Sequence, residues 1–287
     1  MSDTFFDMVT RWLDSPLTDL RYGTRKTYKA ILTKFNKFAP GVKCCELTRQ
    51  LVVQFKDYML NTLKNCMNTV KKTLLGLKTI INKTRDELEI EIPDPFKKLR
   101  VGKVVNRREF LTLDEVTGLF NGFIDNAKKL TRPQYDAMQT FLFSCFTGLR
   151  YSDLKTLCKE DIQNGRICKP MKKTGDIVYI PLCNQAKALL ALPNRHGDQR
   201  LLHVTENTYF NRHLKAAATV LGVEKRLFCH LARHTFATMC LTIGIPLEVT
   251  SKLLGHREIA TTLIYAKMVN SRIDMEMNKF DTLGGFI

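Results

Sequence analysis

Forty residues, Phe228 to Lys267, hold most of the side chains with a chemistry to offer. They run His230-x-x-Arg233, then Leu254-Gly255-His256, then Tyr265 nine positions after that histidine. A guanidinium stays protonated and donates in a fixed fork, which suits the non-bridging oxygens of a phosphate. Imidazoles add hydrogen bonds or take a proton. A phenol, with a free pKa of about 10, attacks only when cations or a base ease its proton away. On helical ground in a strongly basic protein, this set predicts phosphodiester chemistry with a tyrosine nucleophile. Taken singly, each residue has a plainer use. A tyrosine on an amphipathic helix is by default a core aromatic, and an arginine at a helix end answers the helix dipole.

The rest of the chain supports a polyanionic partner. Lys and Arg number 45 against 28 Asp and Glu, for a net charge of +17 over 287 residues. Folding does not require such an excess, so it points to nucleic acid first and an anionic membrane second. The excess is present in both halves, which suits a grip on a duplex from two sides. No apolar run is long enough to span a bilayer, and the start, MSDTFFDMVTRWLDS, has no apolar core of a signal peptide. Nine cysteines without a CxxC pair read as reduced thiols, which implies the cytoplasm. Neither a phosphate-binding GxxxxGK[ST] loop nor a His/Cys or carboxylate ligand cluster is seen, so no cofactor and no metal is expected.

These residues need a frame. Residues 1–100 read as four helices. One lies near Ser2–Leu13. A second starts after Gly23 and runs to Phe38, with Tyr28, Ile31, Leu32, Phe35 and Phe38 on one face. A third, about Thr48–Leu63, buries Leu51, Val52, Phe55, Tyr58 and Met59. The fourth, about Asn65–Leu88, has Met67, Val70, Leu74, Leu77 and Ile81 as its stripe. Lys64, Lys71, Lys78 and Arg85 stand seven apart on this fourth helix and form a slowly drifting row of cations. Together with Arg25, Lys26 and Lys29 they are candidates for tracking DNA phosphates; the plainer reading is a solvated face. Glu91-Ile-Pro93-Asp-Pro95 breaks the pattern, and a basic stretch follows. A linker at 101–110 therefore divides the first domain from a second at 111–287.

In the second domain, Thr112-Leu-Asp-Glu115 reads as a capping box. Pro133 opens a helix with Met138, Phe141, Leu142 and Cys145 on one side, stopped at Thr147-Gly148-Leu149-Arg150. Ser152-Asp153 is then expected to cap a helix through Leu157. Asn164-Gly165 predicts one hairpin, and Lys173-Thr-Gly175-Asp176 a second, with Lys172 and Lys173 at its turn. Helices follow near Asn184–Leu192, Thr205–Leu221, His230–Ile243, Pro246–Leu253 and Ile259–Tyr265. The predicted fold class is mainly α with a small antiparallel β-sheet.

Three motifs now stand in order: Thr147-Gly148-Leu149-Arg150-x-x-Asp153, His230-x-x-Arg233-His234-Thr235, and Leu254-Gly255-His256 followed by Tyr265. With them the chain resembles the tyrosine recombinases of the phage-integrase family along almost its whole length. The resemblance implies a helical, SAM-like core-binding domain followed by an α+β catalytic domain. It assigns Arg150 and Arg233 as the catalytic arginines, Lys173 as the mobile catalytic lysine, and His230 and His256 as catalytic histidines. Tyr265 takes the nucleophile's place, and Asp153 braces the site from behind. Ala232 stands just before Arg233 where the family more usually has Leu, which predicts a local packing change. The chain begins at the core-binding domain, so no arm-binding domain is expected.

The implied reaction is cleavage and rejoining of DNA strands through a 3′-phosphotyrosine and a Holliday junction. It serves integration, excision or inversion of mobile DNA. The implied partners are double-stranded DNA with paired inverted half-sites, three further copies of the chain in a synaptic tetramer, and DNA-bending accessory proteins; no membrane is involved. Rival readings are a type IB-like topoisomerase, which shares the nucleophile, and a non-catalytic DNA-binding protein of the same fold. His234 reads as a structural hydrogen-bonding residue. Met268, Ile273, Met277 and Phe280 in the tail can form an apolar face that docks on a neighbouring protomer or on its own domain.

Overall fold

The computed structural model describes residues 3–97, 99, 109–192 and 200–267. The tail positions Met268, Ile273, Met277 and Phe280, and most of the expected linker, lie outside the described residues. The chain divides into two compact units, Met1–Asn106 and Arg107–Ile287. No described helix is long and apolar enough to cross a membrane. All nine cysteines are free thiols.

Among its described residues the first unit has four α-helices: α1 Phe5–Asp14, α2 Tyr22–Phe38, α3 Arg49–Asp57 and α4 Met67–Leu88. The Thr4 hydroxyl caps α1 by accepting from the Asp7 N–H, and the Thr48 hydroxyl caps α3 through Leu51 N–H. Phe35 is the centre of the core. Phe5 meets it edge-on at 6.0 Å between centroids and Phe55 at 5.0 Å. Val70, Leu74, Leu77 and Ile81 of α4 close the core from the other side.

Three expectations need correction here. Gly23 lies inside α2, which begins at Tyr22 and not after that glycine. Met67, the first residue of α4, is 41% exposed and lies outside the core stripe, which begins at Val70. Lys64 is not on α4: α3 runs into a π-turn at Tyr58–Thr62, and Lys64 then adopts φ 51° in the connection. That leaves Lys71, Lys78 and Arg85 as the row on the helix.

The second unit is built around α6, Arg132–Thr147. Before it comes α5, Leu113–Asn126, which opens with the expected capping box: Glu115 N–H donates to Thr112 and the Glu115 carboxylate accepts from Thr112 N–H. After it come α7 Tyr151–Leu154, the strands β1 Ile162–Gln163, β2 Arg166–Pro170 and β3 Ile177–Pro181, and then α8 Asn184–Ala191, α9 Asn207–Val220, α10 Cys229–Thr242, α11 Leu247–Leu254 and α12 Ala260–Ala266. The sheet is antiparallel in the order β1-β2-β3, with Ile162 opposite Ile167 and Cys168 opposite Tyr179. Asn164 and Gly165 both have positive φ, 51° and 71°, as a two-residue hairpin turn requires.

The structure extends one sequence expectation in this unit and overturns another. The helix α6 is buried on nearly every side, not along one stripe, because α8, α9 and α10 all pack on it. Two of its buried polar residues find partners beyond the helix: Gln139 donates to the Leu189 carbonyl at 2.8 Å, and Ser144 to the Leu149 carbonyl at 3.0 Å. Ser152-Asp153 caps nothing. The short helix starts at Tyr151 with Arg150 in the cap position, and Asp153 points its carboxylate elsewhere.

Candidate active site

Two glycines place the site. Gly148 ends α6 with φ 67°, and Gly255 ends α11 with φ 58°. A Cβ on Gly148 would lie 2.4 Å from the Phe236 ring, and one on Gly255 2.8 Å from Val178. Only glycine fits either turn without strain. Each turn aims its carbonyls inward, and the two arginines accept that offer. Arg233, projecting from α10, donates Nη1 to the Gly148 carbonyl at 2.6 Å and Nη2 to the Leu254 carbonyl at 2.5 Å. Arg150 donates Nη2 to the Gly255 carbonyl at 3.2 Å. The three sequence motifs are thus tied to one another by the guanidiniums.

The electrostatics agree with a tight grouping. Arg233 is 3% exposed, and burial pushes its guanidinium down to about 9, helped by the like charge of Arg150. The phenol of Tyr265 and the carboxylate of Asp153 act on it in the opposite sense. Arg150 shows the same pattern: burial lowers it, while Asp153, Tyr265 and Asp176 oppose the shift. Both guanidiniums therefore share one neighbourhood with Tyr265. The Arg150 Nη1 is buried and has no hydrogen-bond partner among the described residues. A buried, unpaired cationic donor is costly, and an anion placed against it would remove the cost.

Tyr265 lies on α12 and is 2% exposed, packed with Phe236, Cys240, Leu241 and Leu254. Its hydroxyl is 2.9 Å from His234 Nδ1. His230, one helical turn before His234, is exposed and sets its ring edge-on to that of His234, 4.9 Å between centroids. His256 is half-buried, and its Nδ1 lies 2.8 Å from the Thr262 hydroxyl of α12, which fixes the ring. Asp153 is fully buried and accepts the Lys172 N–H at 2.8 Å, so it anchors the turn between β2 and β3. Lys173 is exposed on that turn.

Two residues outside the sequence assignment take part in the arrangement. His234 reads as a structural hydrogen-bonding residue from sequence, and a partner of its ring is the Tyr265 hydroxyl. Its i+4 spacing from His230 puts both on one helix face, a signal present in the sequence. Arg257 hydrogen-bonds Asp176 and Thr174 across the hairpin turn, and it holds the Asp176 carboxyl below the usual carboxylate range. No local pattern announces a pair 81 positions apart.

The basic residues of the first unit differ in their surroundings. Arg25 donates to the Thr18 carbonyl at 3.1 Å, and Lys29 pairs with Asp14 at 2.5 Å. Lys26 and Lys64 are exposed; Lys71, Lys78 and Arg85 are half-buried along α4.

Comparison with known proteins gives the family and the fold. Residues 109–272 match the model of the phage integrase family, and residues 4–101 that of the phage integrase SAM-like domain. The tyrosine recombinase XerD of Pseudomonas putida is 26% identical over 94% of this chain and 93% of its own length. The tyrosine recombinase XerA of Saccharolobus solfataricus is 33% identical over 43% of each chain. Among solved structures, a lambda integrase tetramer bound to a Holliday junction superposes with a TM-score of 0.74 at 18% identity, covering 92% of this chain and 77% of that one. The Tn1549 transposon integrase in complex with circular intermediate DNA gives 0.70 at 17% identity, covering 92% and 95%. Since the family model spans more than half of the sequence, the chain belongs to the phage integrase family and is a tyrosine recombinase.

Proposed function

We propose that this protein cuts and rejoins DNA at a specific site, with Tyr265 as nucleophile and Arg150, Arg233, His230, His256 and Lys173 as the catalytic set. The scissile phosphate sits against Arg150 and Arg233, which hold its non-bridging oxygens as charge builds on them. Preorganised donors of this kind are each worth on the order of 3 kcal/mol in the transition state. His256 adds a further donor. The Tyr265 oxygen attacks phosphorus, the bond to the 5′-oxygen breaks, and a 3′-phosphotyrosine remains. The phenolic proton passes to the histidine pair, where His234 stands against the hydroxyl and His230 against His234. The leaving 5′-oxygen takes a proton from the Lys173 ammonium. Attack by the 5′-hydroxyl of a second strand reverses these steps and rejoins the backbone, with no net hydrolysis. Two such exchanges, through a Holliday junction, yield a recombinant.

In this reading residues 1–100 form the core-binding domain, 101–110 the linker and 111–287 the catalytic domain. Arg25, Lys26, Lys29, Lys64, Lys71, Lys78 and Arg85 track the DNA backbone. Two protomers bind each pair of inverted half-sites, and a tetramer joins two sites. The observation that carries the reading is that Arg150 and Arg233 both donate to the Leu254-Gly255 turn, beside which Tyr265 packs, with one buried arginine donor unpaired.

The test starts from footprinting on the DNA beside the gene, to find the bound site. Two copies of that site on one supercoiled plasmid should give deletion or inversion products. Relaxation of the plasmid with no recombinant product would favour a topoisomerase instead.

A further inference from the structure

Lys173 stands on the turn between β2 and β3, and the position of its ammonium depends on what holds that turn. One end is fixed from below: Lys172 N–H donates to the buried Asp153, and Met171 N–H pairs with the Asp176 carbonyl at 2.9 Å. The other end has its own backbone bonds, from Thr174 N–H at 3.2 Å and Gly175 N–H at 2.7 Å to the Met171 carbonyl, and is tied to the rest of the unit by a side chain from beyond the turn. Arg257 donates Nε to Asp176 Oδ2 at 2.9 Å, and Nη2 both to Asp176 Oδ1 at 3.2 Å and to the Thr174 carbonyl at 2.7 Å. Three acceptors on two turn residues are met by one planar fork, which a lysine has no geometry to copy.

The pair is well solvated, with side chains 63% and 45% exposed. Ion pairs of that exposure add little to stability. The arrangement is therefore better suited to fixing a position than to holding the fold together. Arg257 also stands two residues after Gly255, whose carbonyl accepts from Arg150. The turn bearing Lys173 is in this way referenced to the same backbone segment as the phosphate clamp.

We infer that Arg257 is a positioning residue for Lys173: by pinning Asp176 and Thr174 it sets where the lysine meets the departing 5′-oxygen. This rests on the reading of Lys173 as proton donor, and the experiment separates the two. The probes are two nicked duplexes carrying the footprinted half-site, one ordinary and one with sulfur in place of the bridging 5′-oxygen at the scissile phosphate. A 5′-thiolate is a far better leaving group than an alkoxide and departs without a proton.

On the ordinary duplex, single-turnover cleavage by Arg257→Ala should fall on the order of 10- to 100-fold, the loss expected when a catalytic group is misplaced by about an ångström. Asp176→Ala should behave the same way, and Arg257→Lys should recover little. On the sulfur duplex these variants and Lys173→Ala should all return close to the wild-type rate, with half-site affinity unchanged throughout. If Lys173→Ala is rescued by sulfur and Arg257→Ala is not, Arg257 does not act through Lys173. A wild-type rate for Arg257→Ala on the ordinary duplex overturns the inference as well. If sulfur fails to rescue Lys173→Ala, the proton-donor reading falls and takes this inference with it.

Discussion

His234 Nδ1 lies 2.9 Å from the Tyr265 hydroxyl, joining the middle of α10 to the helix that carries the nucleophile. Both side chains are nearly buried, at 7% and 2% exposure. Truncating His234 to Ala removes one hydrogen bond from a buried hydroxyl, at a cost of about 0.5–1.5 kcal/mol. That corresponds to a fall in Tm of roughly 2–4 °C per kcal/mol for a unit of this size. A double-mutant cycle with Tyr265→Phe should show a coupling of about 0.5–1.5 kcal/mol. Additive losses in thermal unfolding would mean that the two side chains do not interact in solution.

What the sequence made legible, and what it did not, follows the range of the interaction. The capping box at Thr112, the hairpin at Asn164-Gly165 and the stripe on α4 are local patterns, and each forms as read, Met67 at the start of that stripe excepted. The three motifs are legible because their residue types are restricted by geometry: glycines at positive φ, arginines on main-chain carbonyls. The burial of α6 on nearly all sides is hidden by polar residues such as Gln139, whose partner lies on α8. Lys64 was misplaced because the π-turn after α3 gives no sequence signal. Arg257 and Asp176 meet only once the sheet has packed against α11.

The conformation at Gly148 carries its own prediction. An alanine there meets both a left-handed backbone and the Phe236 ring. Strain of this kind costs of order 1–3 kcal/mol, and the shift needed to relieve it moves the carbonyl that Arg233 grips. Gly148→Ala should lower both Tm and the rate of strand cleavage. A variant with unchanged cleavage would show that the turn does not set the arginine.

Acid sensitivity follows from Asp161. Burial alone would raise its carboxyl, but hydrogen bonds from the Lys169 ammonium and the Cys158 N–H outweigh that and hold it below the usual range. A depressed folded value means stabilisation that is complete above the ordinary carboxylate pKa of about 4 and lost as pH falls through the lower folded one. Asp161→Asn should therefore be less stable than wild type near neutral pH, with the gap closing toward pH about 3. Urea unfolding at both pH values checks this; a gap that does not change with pH contradicts it.

The cationic row on α4 makes a prediction about salt. Replacing Lys71, Lys78 or Arg85 by Ala should weaken half-site binding and reduce the slope of log affinity against log salt by about 1 for each phosphate no longer neutralised. Affinity should fall alike for specific and unrelated duplexes, because the phosphates carry no base information. An unchanged slope would mark the row as a solvated face.

The central claim is that the Tyr265 oxygen becomes esterified to a DNA phosphate held by Arg150 and Arg233. The direct measurement is to incubate the protein with a nicked duplex carrying the footprinted half-site, whose cleaved strand diffuses away, and to look for a protein–DNA species that survives denaturation. Wild type should accumulate it, linked at Tyr265 by peptide mapping. Tyr265→Phe, which keeps the ring packing, should bind the duplex normally and form none. A covalent species of normal yield with Tyr265→Phe, or one mapped to another residue, would contradict the account.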